Sequence, residues 1–376
     1  MNPVSQFLIS HQNRIIGLDI IRCLAILRVV YGHGYLLLPE AFHQTYRNIM
    51  LLNLDGVSIF FMLSGFLIGG ILLKSIHTRE FGLREIFIFW IRRWFRTIPN
   101  YVLVLSSVWL YNMFIGFTSP EKGFFYYLTF SQNFFSPHPD WFPEAWSLAV
   151  EEWFYVFFPL SYFIFYLFIK SKEKLFLFTT VLFIIFPLVL RVFKYNHGLE
   201  LAEFDLEFRK IMLLRLDSIM YGVLAAYLLF KKPAFWEKYK YLFLYTGIVF
   251  LLLLKWKSGT WVRDYPPLTF NIESAIIFCF LPFMANYKTT KLKYLDAAII
   301  FISIISYSMY LINLQVIGIL IPTLSGLMFG ETGSHWINYA MYWILTIILS
   351  WMLYKWFEKP ITDLRDKIGL NKVKSM

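Results

Sequence analysis

Apolar runs of about 20 residues recur along the chain, separated by short polar segments. An α-helix needs about 20 apolar residues to cross a bilayer core of about 30 Å, so this pattern predicts about ten transmembrane helices. We place them at about 17–38, 54–74, 97–116, 146–169, 174–193, 210–230, 241–256, 268–287, 297–326 and 337–357. The predicted fold class is an all-α polytopic transmembrane helix bundle. One membrane domain is expected over 1–376, with a cytoplasmic tail at about 358–376.

The composition excludes an ordinary soluble domain. The chain is 58% hydrophobic and 16% charged, against roughly 45–50% apolar and about 25% charged residues in soluble proteins. A net charge of +11 raises the question of nucleic acid. However, Lys and Arg fall in short clusters between apolar runs, which is a topology signal. The bilayer is therefore an expected partner, and nucleic acid is not.

The basic residues predict an orientation. If the N-terminus is cytoplasmic, about 23 of the 35 Lys and Arg residues lie on the inner side and about 8 on the outer side. This bias assigns both termini to the cytoplasm.

Neither a disulfide framework nor a metal site is expected. The two cysteines, Cys23 and Cys279, both lie within apolar runs, and no CxxC pair is present. No metal or permanently bound cofactor is therefore predicted. The first apolar run carries charged residues and is interpreted as a retained helix, not a signal peptide.

The first helix places a cation and a titratable imidazole on one face. Arg22 and His33 are eleven residues apart, which leaves them within about 20° of the same direction and about 16 Å apart along the axis. Charged side chains in a membrane helix normally face a polar cavity or a partner. Asp19 is a candidate partner for Arg22. The alternative is structural, with an Asp19–Arg22 ion pair and a hydrogen-bonded core histidine.

A basic cluster stands at the cytoplasmic start of the third helix. Arg92, Arg93 and Arg96 come shortly before Pro99. Arg93 and Arg96 share a helix face, where two guanidinium groups can bind phosphate oxygens in a bidentate manner. The alternative is a basic cluster at the membrane edge that only fixes topology.

Two further polar groups lie at the outer ends of predicted helices. In WSLAVEEWFY, Glu151 follows Ser147 by four residues and shares its face, whereas Glu152 points about 100° away, toward the headgroups. The alternative role for these glutamates is as polar anchors. Arg215 and Asp217 are interpreted as a buried structural pair.

The aromatic loop from Thr118 to Trp146 is a candidate platform for sugar rings.

Together these segments resemble the acyltransferase-3 family of membrane O-acyltransferases, over nearly the whole chain. Arg22 and His33 match an Arg, ten residues, His signature, and Arg92, Arg93, Arg96 and Pro99 match a basic motif. The other matching segments are GVSIFFMLSGFLI, WSLAVEEWFY, RLDSIMYGVLAA, SYSMYLINL and FEKPI.

The chain departs from the family pattern at three positions. Ser58 replaces an acidic residue that often follows Gly-Val, Asn313 replaces a histidine usual after Tyr-Leu, and Arg28 interrupts an apolar stretch. These departures leave the Arg22 and His33 pair intact but put acceptor preference in doubt. Many relatives append an SGNH hydrolase-like domain, so this chain looks like the stand-alone form.

The resemblance implies an acyl-CoA donor, with acetyl-CoA expected, and the arginines would hold its phosphates. His33 would be the general base and Glu151 would orient its imidazolium; an acyl-histidine intermediate and direct transfer both stay open. The implied acceptor is a cell-surface glycan or lipid-linked sugar, at a bacterial cytoplasmic membrane.

The rival function is a polysaccharide or lipid flippase, for which repeat symmetry or paired broken helices are expected; the sequence has no detectable repeat.

Overall fold

The computed structural model describes residues 3–12, 14–46, 54–78, 81–114, 120–195, 201–256, 266–329 and 334–367. Over these residues the chain is helical and contains no strand. The long helices are α1 (Ile16–Gly34), α2 (Gly56–Thr78), α3 (Leu83–Phe114), α4 (Trp146–Tyr166), α5 (Lys172–Lys194), α6 (Leu216–Lys231), α7 (Lys240–Trp256), α8 (Thr269–Met284), α9 (Lys293–Ile312), α10 (Gln315–Phe329) and α11 (His335–Leu353).

The hydrophobic pattern predicts the fold class correctly. Seven helical segments among the described residues are long and apolar enough to cross a membrane: Ile16–Leu37, Gly56–His77, Pro143–Tyr166, Lys172–Lys194, Pro266–Met284, Lys293–Ile312 and His335–Arg365. Two shorter apolar helices lie at Lys240–Leu254 and Gln315–Phe329. The expected all-α polytopic bundle is thus confirmed.

Two predicted helices have different bounds in the structure. The third begins at Leu83 rather than 97, because the basic segment and the apolar segment form one helix of 32 residues that contains Pro99. At 1.5 Å per residue this helix is about 48 Å long, which exceeds the hydrocarbon thickness. The predicted helix at 297–326 is instead interrupted at Asn313 and Leu314, between α9 and α10.

Glycines allow close helix packing between α2 and α6. A Cβ atom at Gly65 would overlap the Ile219 carbonyl oxygen, and one at Gly222 would overlap the Met62 carbonyl oxygen. Small residues let membrane helices approach closely, so that van der Waals contact replaces the hydrophobic effect as the driving force. The glycine-rich second helix therefore anchors the core of the bundle.

The aromatic loop before α4 packs inward. Trp141 and Trp146 are only 5% and 4% exposed, and Phe142 is fully buried. The Asn133 amide holds the loop in place by donating to the carbonyl oxygens of Trp146 and Lys210 at 3.0 and 2.6 Å. The two tryptophans are therefore part of the protein core, whereas Phe125, Tyr126 and Phe135 of the same loop are exposed. The sugar platform stays a prediction for the loop.

The predicted orientation can be tested with single cysteines in a background that lacks Cys23 and Cys279. Ser334 and Ser171 are exposed and directly precede α11 and α5. The positive-inside bias predicts that Ser334→Cys reacts with a membrane-impermeant thiol reagent in intact cells. Ser171→Cys should react only after permeabilisation. The reverse labelling would reject the orientation.

Candidate active site

A cavity of about 110 Å³ lies between α1, α2, α3, α4 and α9. It brings together five of the polar residues singled out in the sequence, Arg22, Arg93, Arg96, Ser147 and Glu151, and adds Tyr310. One side is apolar and comes from α2, with Phe60, Leu63 and Leu67. Cationic groups and an apolar wall therefore share one space inside the bundle.

Arg93 is held by a network around the Tyr155 hydroxyl. Arg93 Nη2 donates to Tyr155 Oη at 2.6 Å, and its guanidinium lies 4.5 Å from the centre of the tyrosine ring. Tyr155 Oη donates to Glu151 Oε2 at 2.9 Å. Because that bond uses the only phenolic hydrogen, Ser64 Oγ must be the donor in its 2.6 Å contact with Tyr155. Glu151 is therefore tied to the arginine end of the cavity.

Arg22 and Arg96 differ from Arg93, because they line the cavity without a hydrogen-bond or ion-pair partner in the part of the chain that the structure describes. The expected Asp19–Arg22 pair is wrong. Asp19 forms its ion pair with Arg14, whose Nε donates at 2.8 Å, and also accepts from Ser303 Oγ at 2.6 Å. Two guanidinium groups are thus free to bind an anion.

Arg92 lies apart from the residues that line the cavity. Its carbonyl oxygen accepts a hydrogen bond from Arg365 Nη1 at 3.4 Å, which connects α3 to the helix Lys359–Lys367. Of the three clustered arginines, only Arg93 and Arg96 face the cavity.

His33 lies in the last turn of α1, where its partner is Asn313. His33 Nδ1 and Asn313 Oδ1 are 2.5 Å apart. The orienting role that the sequence suggests for Glu151 would need a contact with His33; among the described residues Glu151 contacts Tyr155 instead. The catalytic roles of His33 and Glu151 stay predictions.

Tyr310 connects the cavity to the histidine. It lies one turn before Asn313 on α9, so the two side chains share a helix face. Tyr310 Oη donates to the Glu144 carbonyl oxygen at 2.9 Å, and Ser147 Oγ, at 2.6 Å, therefore donates to Tyr310. Tyr310 and Glu144 were not singled out from the sequence, although the three-residue spacing of Tyr310 and Asn313 was a usable signal.

Glu152 is buried rather than directed toward the headgroups. It is 6% exposed, and Thr97 Oγ1 donates to its Oε1 at 2.8 Å. The expectation of an outward glutamate is wrong, because a neighbouring helix supplies a polar partner on that side of α4.

Arg215 and Asp217 are both fully buried but do not pair with each other. Asp217 forms an ion pair with Arg191 at 2.6 Å, and Arg215 Nη2 donates to Ser58 Oγ at 2.9 Å. The Arg215 guanidinium also lies 3.7 Å from the centre of the Phe270 ring. The predicted pair is wrong because each residue has a longer-range partner.

Two carboxylates surround Ser58 in the first turn of α2. Ser58 Oγ lies 3.1 Å from Asp55 Oδ2 and 2.9 Å from Glu273 Oε2. Asp55 also forms an ion pair with Arg209 at 3.0 Å. Burial disfavours the charge on Asp55, but Arg209 and Arg215 outweigh that effect and hold the pKa of its carboxyl well below the usual value.

Comparison with known proteins identifies the family. The acyltransferase-3 family model, described as an acyltransferase domain, matches residues 15–355. The chain therefore belongs to this acyltransferase family.

Three relatives illustrate the similarity. A Haemophilus influenzae protein named "Uncharacterized protein" is 32% identical over 34% of this chain and 57% of its own length. A Staphylococcus aureus "Putative O-acetyltransferase" is 27% identical over 56% of this chain and 34% of its own length. A Bacillus subtilis "Putative peptidoglycan O-acetyltransferase" is 30% identical over 44% of this chain and 26% of its own length. The chain thus aligns with well under two thirds of each relative, and no solved structure matches it.

The Tyr155 network generates a prediction. Tyr155→Phe keeps the ring but removes the hydroxyl that Arg93, Ser64 and Glu151 share. Leaving buried polar groups without a partner costs about 1–3 kcal/mol each, so the variant should unfold at a lower temperature in detergent. Ser64→Ala removes a single donor and should have the smaller effect. Equal thermal stability of Tyr155→Phe and the parent protein would contradict the network.

Proposed function

We propose that the protein transfers an acyl group, with acetyl expected, from acyl-CoA on the cytoplasmic side to a hydroxyl of a cell-surface glycan or lipid-linked sugar. The observation that carries this proposal is the cavity inside the helix bundle of a chain that belongs to an acyltransferase family. Among the described residues, its Arg22 and Arg96 have no hydrogen-bond or ion-pair partner. A charge within a membrane protein normally has a partner. An anionic substrate is such a partner.

The arginine end of the cavity is suited to the phosphates of CoA. Guanidinium groups bind phosphate oxygens through paired, charge-assisted hydrogen bonds. Arg93 is already fixed by Tyr155, so it supplies positive charge at a defined position while Arg22 and Arg96 remain free to contact the ligand. The apolar side formed by Phe60, Leu63 and Leu67 would face the uncharged pantetheine arm.

His33 would act at the outer end of the path. The axial separation of Arg22 and His33, about 16 Å, is the distance that the pantetheine arm must span. His33 takes the proton from the acceptor hydroxyl, whose oxygen attacks the thioester carbonyl carbon. The carbon–sulfur bond then breaks, and the proton passes to the departing thiolate. The products are an ester and free CoA thiol.

The acceptor class rests on the relatives and on topology. One relative is named for peptidoglycan and another as an O-acetyltransferase, which supports a sugar hydroxyl as the acceptor. The basic residues expected on the inner side support entry of the donor from the cytoplasm. We place the protein in the cytoplasmic membrane of a bacterium.

Thiol release tests this function directly. The purified protein in nanodiscs should release free CoA thiol from acetyl-CoA when a cell-wall glycan is present, and mass spectrometry should find the glycan heavier by one acetyl group. A flippase would move the glycan without releasing thiol. Absence of thiol release with all glycan classes would reject acyl transfer.

The phosphate role of the free arginines gives a binding prediction. Arg22→Ala and Arg96→Ala should each weaken CoA binding by about 1.5–3 kcal/mol, or roughly 10- to 150-fold, because each removes a charge-assisted hydrogen-bond donor. Isothermal titration measures this change.

Arg84→Ala is the matched control, since Arg84 is an exposed arginine of the same helix as Arg96. It removes one basic charge without touching the cavity and should bind CoA as the parent does. If all three variants bound CoA with the parental affinity, Arg22 and Arg96 would not bind its phosphates and would only help to set the membrane topology.

The role of His33 gives a kinetic prediction. His33→Ala should bind CoA normally but lose acyl transfer by at least two orders of magnitude, because proton abstraction contributes about 10²- to 10⁴-fold. The thermal stability and CoA affinity of the variant are measured alongside turnover. A purely structural histidine would instead lower stability and CoA binding together. Turnover near the parental rate would remove His33 from the mechanism.

A further inference from the structure

The His33–Asn313 hydrogen bond determines where the histidine proton lies. A neutral imidazole carries its proton on one nitrogen only, so one nitrogen donates and the other accepts. The bond joins His33 Nδ1 to Asn313 Oδ1 at 2.5 Å. An amide oxygen can only accept, so Nδ1 must be the donor, provided that the oxygen and not the nitrogen of the amide faces His33.

The other contacts of Asn313 fix that amide orientation. Its Nδ2 donates to the carbonyl oxygens of Met309 and Tyr310 at 2.8 and 2.9 Å. Carbonyl oxygens only accept, so a flipped amide would place oxygen against oxygen at both positions. The Tyr342 hydroxyl lies 3.4 Å from Asn313 Oδ1 but donates its hydrogen to the Val30 carbonyl oxygen at 2.8 Å. His33 therefore supplies the close donor to Asn313 Oδ1.

We propose that Asn313 is the positioning residue of the acyl-transfer site, and that it holds neutral His33 in the tautomer with hydrogen on Nδ1 and a free lone pair on Nε2. The inference rests on the proposed function, in which Nε2 is the atom that takes the acceptor proton. The orienting group of a catalytic histidine is often a carboxylate. Here a neutral amide does the orienting, so it sets the tautomer without adding a negative charge beside the imidazole.

The break between α9 and α10 presents the amide at this point. Asn313 is the first of two residues in the gap, where its Nδ2 satisfies carbonyl oxygens at the end of α9. On the other side of the gap, the Gln315 backbone N–H donates to Glu144 Oε1 at 3.1 Å. Glu144 is 2% exposed, and its carbonyl oxygen accepts from Tyr310. The gap is therefore held from both sides.

Asparagine is also chemically distinct from the histidine expected at this position from the family resemblance. A histidine has two tautomers and a charged form, so it can donate to His33 or accept from it. The amide of Asn313 has one arrangement that satisfies all its neighbours. The pair in this chain therefore has a single proton assignment.

Nitrogen NMR of ¹⁵N-histidine-labelled protein in nanodiscs reads the tautomer without reference to activity. The His33→Gln spectrum identifies the His33 signals among those of seven histidines. In the parent protein, Nδ1 should be protonated and Nε2 unprotonated. Asn313→Leu should shift the population toward protonated Nε2, whereas Asn313→Asp retains an acceptor oxygen and should keep Nδ1 protonated. An unprotonated Nδ1 in the parent, or an unchanged tautomer in Asn313→Leu, would overturn the inference.

Turnover of the same variants tests whether the tautomer matters for catalysis. Asn313→Leu should lower kcat about 10- to 100-fold, as expected when the partner that orients a functional histidine is lost, with KM for acetyl-CoA unchanged. Asn313→Asp should lose less, although it too lacks the Nδ2 donors. Equal losses in the two variants would indicate that Asn313 supports only the helix break and would overturn the positioning role.

A control variant separates packing from positioning. Thr180→Ala removes a fully buried hydroxyl on α5 that donates to the Phe176 carbonyl oxygen at 2.7 Å, and should keep the parental kcat. Failure of the proposed function can be distinguished from failure of this inference. Acyl transfer by His33→Ala would show that His33 is not the general base, whereas the NMR spectrum would still show which nitrogen of His33 carries the proton.

Discussion

The structure depends on one constraint, which is that a charge enclosed in a membrane protein needs a partner within the protein. Arg191 satisfies it completely. Its guanidinium is fully buried and donates to the carbonyl oxygens of Pro267 and Leu214, to Asp217 and to Asn271. Four of its five N–H donors are therefore used within the protein. The guanidinium groups of Arg22 and Arg96 differ from it, because they line the cavity without a hydrogen-bond or ion-pair partner among the described residues.

The same constraint separates the bundle into two chemical regions. Arg22, Arg93 and Arg96 line the cavity, and the imidazole of His33 lies at the C-terminal end of α1. Helix α9 joins them, because Tyr310 lines the cavity and Asn313, one turn further, holds His33. Helices α1 and α9 run in the same direction, because Asp19 contacts Ser303 and His33 contacts Asn313. This one pair of helices therefore positions both the arginines of the cavity and His33 along the bundle.

The sequence was sufficient for the fold class and for five of the polar residues that line the cavity, but not for Tyr310 or for the pairing of these residues. Runs of apolar residues predicted the bundle, and helix periodicity placed Ser147 and Glu151 on one face, where both line the cavity. Periodicity carries no information about other helices, however. Asn313 is 280 residues from His33, and Tyr155, which is a local neighbour of Glu151, reaches Arg93 on α3. Each wrong pairing, such as Asp19 with Arg22, was a choice of the nearest residue along the chain.

The surroundings of Ser58 explain the departure from the family motif at this position. By family resemblance an acidic residue is expected there, and the serine taken alone suggests a lost negative charge. Yet Asp55 Oδ2 and Glu273 Oε2 lie 3.1 and 2.9 Å from its hydroxyl oxygen, and Arg215 donates to that same oxygen at 2.9 Å. The serine hydroxyl has one hydrogen and two lone pairs, so it can accept from Arg215 and donate to one carboxylate at a time. The carboxyl groups of Asp55 and Glu273 thus surround position 58, and Ser58 connects them to the buried Arg215. A carboxylate at position 58 itself would add a third acid to this cluster and repel the other two.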